Sequence, residues 1–192
     1  MTEAAEPILW VTGKNVALGP YRADLVELYW RWEQDPTALV GYGRQTPDSL
    51  ESRRDGIAHQ LAALSETPRF TVYDITRDTP EPVGTTVLYI DPAVRTAEYM
   101  IMLSAEARGR GIGAEATRLT LDYAWHVTNL RMVWLKVLEP NAAGVAAYKR
   151  AGFRESGRLR QAGYWFGRVC DELIMDALAE DFDTASAIHL PS

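Results

Sequence analysis

One short segment constrains the fold more than any other: the run Arg-Gly-Arg-Gly-Ile-Gly at positions 108–113. The preceding residues, 95–103, alternate as a strand, and residues 112–127 carry apolar side chains at helical spacing. Glycine lets backbone N–H groups converge on an anion, and the start of a helix adds a partial positive charge. The segment therefore predicts a phosphate site at a strand-to-helix junction in an α/β fold.

Two nucleotide-binding motifs and an ordinary tight turn are the alternatives for this loop. A P-loop is excluded because no Gly-Lys-Ser/Thr follows at the required spacing. Gly109, Gly111 and Ala114 nominally satisfy the dinucleotide pattern G-x-G-x-x-G/A. However, that pattern should open the fold, and too few residues follow here to build a two-lobed dinucleotide sheet. An ordinary turn accounts for glycines, but it does not explain the arginines interleaved with them.

The rest of the chain alternates strands and helices, with no internal repeat or linker. The predicted strands are residues 8–18 with a turn at 13–15, 70–75, 83–90, 95–103, 131–138 and 168–177, with a hairpin-like stretch at 157–167. The predicted helices are residues 24–33 with Asp24 as cap, about 49–64, 112–127 and 141–150. Residues 35–48 are predicted as a loop and those from 180 onward as a loose tail. A length of 192 residues fits one domain, 1–192, with its core at about 8–178.

Composition narrows the kind of protein. Apolar residues make up 47% and charged residues 24%, the balance of a globular chain. No run approaches the roughly 20 uncharged apolar residues of a membrane span, and the acidic start lacks the features of a signal peptide. The single cysteine, Cys170, excludes an internal disulfide and suits a reducing cytoplasm. Three scattered histidines predict no metal site.

Charge is unevenly distributed around the formal net value of −6. Residues 108–168 hold eleven basic and four acidic residues, whereas residues 1–107 hold nine basic and sixteen acidic ones. Fixed charge attracts ligands of opposite sign. The basic span could therefore face a polyanion and the acidic remainder a cation, with a mixture of solvated faces as the alternative.

Three motifs, in this order, resemble those of the GNAT superfamily of acetyl-CoA-dependent N-acetyltransferases. Residues 108–113 match its Q/R-x-x-G-x-G/A loop, which grips the pyrophosphate of coenzyme A. Residues 141–153 resemble its N-x-x-A-x-x-x-Y-x-x-x-G-F segment, with Gly144 where alanine or serine is usual. The pair Gly157-Arg-Leu-Arg160 and Asp171-Glu-Leu-Ile-Met175 resembles the ribosomal-protein-acetylating branch of the superfamily.

The resemblance implies an α/β domain with a mostly antiparallel central sheet, splayed at the coenzyme site and flanked by helices. It implies acetyl-CoA as co-substrate and a direct transfer to a primary amine of a small molecule or a protein N-terminus. It further implies no nucleic acid or membrane partner, and allows a homodimer. A catalytically silent sensor or scaffold that binds coenzyme A is the alternative. The residues that the resemblance assigns to the coenzyme are Met102, Leu103, Arg108, Gly109, Arg110, Gly111, Ile112, Gly113 and Asn141. The backbone near Met102 and Leu103 is expected to polarise the thioester carbonyl.

Two side chains are candidates for proton transfer. An amine is mostly protonated at neutral pH, with a lysine-like pKa near about 10, so its proton must be removed. Glu98, on the strand that leads into the loop, is the preferred base, and a surface pair with Arg95 is its alternative role. The resemblance makes Tyr148 the acid that protonates the coenzyme thiolate, and a buried packing tyrosine is the alternative. Asn141 could cap its helix, hold the pantetheine arm, or do both.

The acceptor site is expected within residues 1–107. The candidate contacts are aromatic and acidic residues in and after the first helix: Trp30, Trp32, Glu33, Asp35 and Tyr42. Glu33 and Asp35 are also alternative bases. Because this half of the chain is acidic, the sequence predicts that acceptors with extra positive charge are preferred.

Overall fold

Eight strands form one sheet in the computed structural model, which describes residues 6–182 and 186–188. The strands are β1 (Val11–Thr12), β2 (Val16–Pro20), β3 (Arg69–Asp74), β4 (Glu81–Asp91), β5 (Thr96–Leu103), β6 (Met132–Leu138), β7 (Arg154–Trp165) and β8 (Arg168–Leu178). The helices are α1 (Val26–Glu33), α2 (Pro36–Gly41), α3 (Leu50–Ala62), α4 (Ile112–His126) and α5 (Ala142–Ala151). Among the described residues, no helix combines the length and apolar character needed to cross a membrane.

The sheet divides between two of its central strands. The strand order is β1-β2-β3-β4-β5-β6-β8-β7, and every neighbouring pair is antiparallel except β5 and β6. These two are parallel because α4 crosses over between them. Only Thr96–Glu98 pairs with Met132–Trp134, although β5 continues to Leu103 and β6 to Leu138. A cleft therefore opens in the sheet after Glu98, and the predicted mostly antiparallel, splayed sheet is confirmed.

Side-chain alternation along β5 defines the two faces of the sheet at this cleft. The Tyr99 hydroxyl lies 3.0 Å from Thr117 Oγ1, so the odd-numbered residues of β5 face α4. Glu98, Met100 and Met102 consequently face the opposite side, which α1 and α3 cover. The candidate base, the glycine loop and the candidate acceptor side are thus positioned by one strand.

Most predicted elements match the structure to within a few residues, but the hairpin-like stretch and two further details are wrong. Residues 157–165 belong to the single strand β7, which pairs with β8 across a turn at 166–167. Asp24 does not cap the first helix, because Arg22 binds its carboxylate at 2.5 Å and 2.9 Å and Leu25 occupies the N-cap. The predicted loop at 35–48 contains α2, which Asp35 caps and Pro36 begins. An aspartate cap followed by proline is a helix-start signal, and the neighbouring glycines obscured it.

The predicted loose tail, 180–192, is anchored where it begins. Asp181 forms an ion pair with Arg154 at 3.1 Å, and the ring of Phe182 packs 5.7 Å from that of Trp125. Positions 183–185 and 189–192 lie outside the described residues, as do positions 1–5. The tail prediction is therefore wrong for its first residues.

Candidate active site

The glycine loop leaves an open space beside the start of α4. Gly109 and Gly111 have φ values of 74° and 83°, in the left-handed region that glycine adopts without strain. A Cβ added at either position would meet no heavy atom of the described residues within 4 Å. Gly111 is the N-cap of α4 and has no side chain to satisfy the N–H groups of the first turn. Unpaired N–H groups at a helix start, facing open space, fit a phosphate group.

Arg110 is held beside this loop by a buried carboxylate. Its Nη2 donates to Asp74 Oδ2 at 2.6 Å, and Asp74 is only 1% exposed. Burial alone would raise the pKa of Asp74, but hydrogen bonds from Thr76 and Arg110 hold that pKa below its ordinary value. The carboxylate therefore stays ionised and keeps the guanidinium in place near the loop.

Arg108 connects the loop to α2 through Asp35. Its Nη1 lies 3.3 Å from Asp35 Oδ1, and its Nη2 donates to the Leu103 carbonyl at 3.1 Å. Asp35 Oδ1 also accepts the Ala38 N–H at 2.9 Å. Burial opposes ionisation, but this N–H group and Arg108 still lower the pKa of Asp35. Asp35 is therefore a poor candidate base, since a depressed pKa weakens its hold on a proton.

Backbone groups of β5 face the cleft at alternate residues. Ser104 donates to the Val83 carbonyl at 2.9 Å, and hydrogen-bonded pairs alternate along antiparallel strands. Met102, opposite Thr85, thus bonds to β4, whereas the N–H of Leu103 is directed toward the cleft. Of the two residues predicted to polarise a carbonyl through the backbone, only Leu103 faces the space where that carbonyl would lie.

Glu98 stands where the cleft begins. It is the last residue of β5 paired with β6, and its side chain shares a face with Met100 and Met102. The alternative surface pair with Arg95 is not formed, because Arg95 donates instead to the Asn129 carbonyl. Within the described residues, no hydrogen bond or ion pair engages the Glu98 carboxylate. It is therefore available to accept a proton.

Tyr148 projects from α5 beside the same cleft. Its ring meets Tyr99 edge-on at 6.5 Å and Phe153 at 6.0 Å. Burial raises the pKa of its hydroxyl to about 12, so the proton is retained throughout the neutral range. No described residue hydrogen-bonds with this hydroxyl. Packing and proton donation, the two predicted roles, are therefore compatible.

Asn141 begins the helix that carries Tyr148. Its Oδ1 accepts the Gly144 N–H at 3.0 Å, so the predicted capping role is confirmed. The contact with the pantetheine arm stays a prediction.

A cavity of about 260 Å³ lies on the Glu98 face of the sheet, beneath the first three helices. Its floor comes from β4 and β5 and includes Thr85 and Met100, while Glu33 and Tyr42 line its helical side. Burial raises the pKa of Tyr42 well above its ordinary value, so its hydroxyl is also protonated. The cavity adjoins the cleft and is the candidate acceptor site.

Three of the five predicted acceptor residues do not line this cavity. The indole of Trp30 donates to the Asp48 carbonyl at 2.8 Å, and the ring of Trp32 packs 5.7 Å from that of Tyr29. The third, Asp35, caps α2 as described above. Glu33 and Tyr42 remain as candidate contacts with the acceptor.

The charges lining the cavity differ from those predicted. Arg44, Arg53 and Arg69 line it together with a single acid, Glu33. Many acids of this half of the chain instead pair with arginines toward the outer surface: Asp24 with Arg22, Glu27 with Arg31, and Glu81 with Arg77. The candidate cavity therefore does not present the acidic balance of residues 1–107 that was predicted to face the acceptor.

Sequence reasoning overlooked Arg69 and Tyr89, which both line the cavity. Tyr89 lies on the predicted strand 83–90, and Arg69 lies one residue before the predicted strand 70–75, so alternation along these strands was the available signal. Alternation alone does not say which face carries a site, because that depends on where the helices pack.

Comparisons with known proteins agree with this architecture. Residues 15–154 match the family model described as an acetyltransferase (GNAT) domain. The spermidine N(1)-acetyltransferase of Escherichia coli strain K12 is 35% identical over 65 residues, which are 34% of this chain and 35% of that protein. The chain thus matches about a third of the length of that relative. The alpha/beta-tubulin-N-acetyltransferase 9 of Drosophila melanogaster is 31% identical over 162 residues, 78% of this chain and 80% of the fly protein.

A solved structure shows the same fold. The spermidine N-acetyltransferase from Vibrio cholerae, in complex with CoA and spermine, superposes with a TM-score of 0.78 at 21% identity, covering 88% of this chain and 98% of that one. These relatives are named for spermidine or tubulin, so the ribosomal-protein-acetylating branch stays a prediction. The family match over residues 15–154, together with the glycine loop and the divided sheet, shows that the chain belongs to the GNAT acetyltransferase family.

Proposed function

We propose that this protein is an N-acetyltransferase that moves an acetyl group from acetyl-CoA to the primary amine of a small molecule or peptide. The observation that carries this proposal is the parting of β5 from β6 at Glu98. The glycine loop lies at the end of the parted strand, Tyr148 beside the cleft, and the cavity on the Glu98 face. An anion site, a base, an acid and an acceptor space are thereby gathered around one cleft.

The glycine loop fits coenzyme A. The open space at Gly109 and Gly111 would admit the pyrophosphate, and the N–H groups at the start of α4, with Arg110 nearby, would hold it. When bound, acetyl-CoA supplies an activated thioester. The Leu103 N–H would donate to the thioester carbonyl and stabilise the charge that develops on its oxygen. Asn141 would hold the pantetheine arm.

Two residues move protons in this proposal. Glu98 accepts a proton from the ammonium group, directly or through a water molecule, and the neutral amine then attacks the thioester carbonyl carbon to form the carbon–nitrogen bond. Tyr148 donates its proton to the sulfur as the carbon–sulfur bond breaks, and the second proton lost by the nitrogen returns to Tyr148 through solvent. Its raised pKa, about 12, keeps that proton on the hydroxyl before the transfer.

An amine panel tests the proposed reaction. The protein is incubated with acetyl-CoA and each amine while free thiol is followed, and amine-dependent thiol release is expected. Tight binding of coenzyme A with no turnover on any amine would favour the alternative function, a silent sensor or scaffold.

The acceptor, the cellular location and the oligomeric state do not follow from membership of the family. The names of the relatives suggest a polyamine acceptor, and the motif resemblance suggests a protein N-terminus. A cytoplasmic location stays a prediction from the lone Cys170, and a homodimer stays a prediction from the family resemblance.

Replacing Glu98 by glutamine tests the base. We expect kcat at neutral pH to fall about 10²-fold, at the lower end of the usual range for general acid–base catalysis. The loss should shrink as the pH rises, because an amine with a pKa near about 10 increasingly loses its proton to bulk water. Glu51→Gln, a change at an exposed glutamate of α3, is the control. Equal rates for Glu98→Gln and the unmodified protein across the pH range would exclude Glu98 as the base.

A further inference from the structure

Two of the three arginines that line the cavity are already paired with carboxylates. Arg53 Nε donates to both oxygens of Glu33, at 3.0 Å and 2.9 Å, and its other two nitrogens bond to neutral side chains. Arg44 forms an ion pair with Asp48. The protein itself therefore balances the charges of both guanidinium groups.

Arg69, at the start of β3, has no such partner among the described residues. Its Nη2 donates to the Tyr89 hydroxyl at 3.2 Å, and its Cζ lies 5.2 Å from the centroid of the Tyr89 ring. Its Nε is buried and has no hydrogen-bond partner among the described residues, none of which forms an ion pair with it. Arg69 also lines the cavity, where a carboxylate or phosphate could balance its charge, because a guanidinium fork can bond two oxygens of an oxyanion at once.

The register of the sheet places this guanidinium near the candidate base. Arg69 lies opposite Val87 on β4, and Tyr89, beneath the guanidinium, lies opposite Glu98 on β5. Adjacent strands are about 4.8 Å apart. Residues directly opposite on neighbouring strands share a face, so the guanidinium and the Glu98 carboxylate lie on the same face of the sheet, with only β4 between their strands. A small molecule with an amine and an anionic group could therefore contact both.

From this geometry we propose that the acceptor is an amine that also carries an oxyanion group, in the first place an amino acid with a free carboxylate, and that Arg69 binds that group. A polyamine would instead bring several positive charges toward Arg69, whose charge is not balanced by any carboxylate of the described residues. Arg69 then determines specificity within the proposed acetyltransferase reaction, on which this inference rests.

Matched acceptors test the inference. For several side chains, kcat/KM is measured for the L-amino acid, its carboxamide, its decarboxylated amine and its aminophosphonate analogue, with spermidine alongside. We expect the amino acid to exceed its carboxamide and its decarboxylated amine by about 10- to 100-fold, the range of a charge-assisted hydrogen bond. A higher value for the aminophosphonate would identify the anion as a phosphate-like group instead.

Substitution of Arg69 supplies the second part of the test. Arg69→Gln should lower kcat/KM for amino acids about 10- to 100-fold and leave carboxamides within about twofold. Arg69→Lys, which keeps the charge but loses the fork, should fall between the two proteins. Arg54→Gln, at an exposed arginine of α3 that does not line the cavity, makes the same change in net charge and should affect neither class of acceptor.

The outcomes separate this inference from the proposed reaction. Turnover of spermidine above that of every amino acid, unchanged in Arg69→Gln, would overturn the anion subsite and leave acetyl transfer intact. The absence of turnover with all acceptors would count against the reaction. In that case, calorimetric titration of amino acids into protein saturated with coenzyme A decides the subsite: binding lost in Arg69→Gln supports it, and equal binding in both proteins overturns it.

Discussion

Coenzyme A is expected to lose at least about 100-fold in affinity when Gly111 is replaced by valine, while the chain still folds. A Cβ at Gly111 meets no described atom within 4 Å, so the added side chain projects into the open space beside the start of α4. That is the space a pyrophosphate needs if the helix N–H groups are to bind it. Losing one or two hydrogen bonds to a charged group, each contributing about 1.5–3 kcal/mol, corresponds to that loss of affinity.

Backbone strain must be separated from the steric block. Gly111 has a φ of 83°, and a branched residue there costs roughly 1–2 kcal/mol. Gly167, in the turn between β7 and β8, provides a matched control because its φ is 81° and an added Cβ also meets open space. Thermal unfolding should show similar losses of stability for Gly111→Val and Gly167→Val, whereas calorimetry should show lost binding only for Gly111→Val. Unchanged affinity in Gly111→Val would remove the phosphate-loop assignment.

Local patterns in the sequence predicted most of the fold because they reflect contacts between near neighbours. The apolar stripe of 112–127 predicted α4, and the glycine at 152 marked the end of α5, where its φ is 111°. The splay of the sheet could not be predicted from such local patterns, because none of them shows where β5 and β6 stop pairing. It was predicted from the motif resemblance instead.

The candidate site was harder to predict because its charges are set by contacts between distant residues. Arg108 and Arg110 were expected to be available to phosphate, yet each pairs with a carboxylate from a segment 73 or 36 residues earlier in the chain. The same holds for the acceptor side. Net charge over residues 1–107 sums every side chain, whereas the cavity presents only those few that the packing of α1 and α3 directs inward.

These ion pairs also change the expected effect of replacing Glu33 and Asp35, the two acidic candidates for the acceptor site. Neutralising Glu33 and Asp35 would leave Arg53 and Arg108 without their carboxylates, so the site would become more positive. Such a variant therefore tests the stability of these partly buried ion pairs more than the choice of acceptor. Arg69 forms no ion pair within the part of the chain that the structure describes, so specificity is better examined by replacing Arg69.

Tyr148→Phe is expected to lower kcat by about 10²- to 10⁴-fold, the usual contribution of a general acid, with little change in stability or coenzyme affinity. The ring contacts with Tyr99 and Phe153 are kept, and no hydrogen bond to a described residue is lost. Tyr123→Phe is the control, because that partly buried tyrosine packs against Phe70, 4.9 Å away between ring centroids, and makes no predicted contact with coenzyme or acceptor. Single-turnover kinetics measure the acetyl-transfer step in each protein, and titration with coenzyme A measures binding. An unchanged acetyl-transfer rate in Tyr148→Phe would leave Tyr148 as a packing residue. If the rate falls in Tyr42→Phe instead, the proton donor is Tyr42, which lines the cavity.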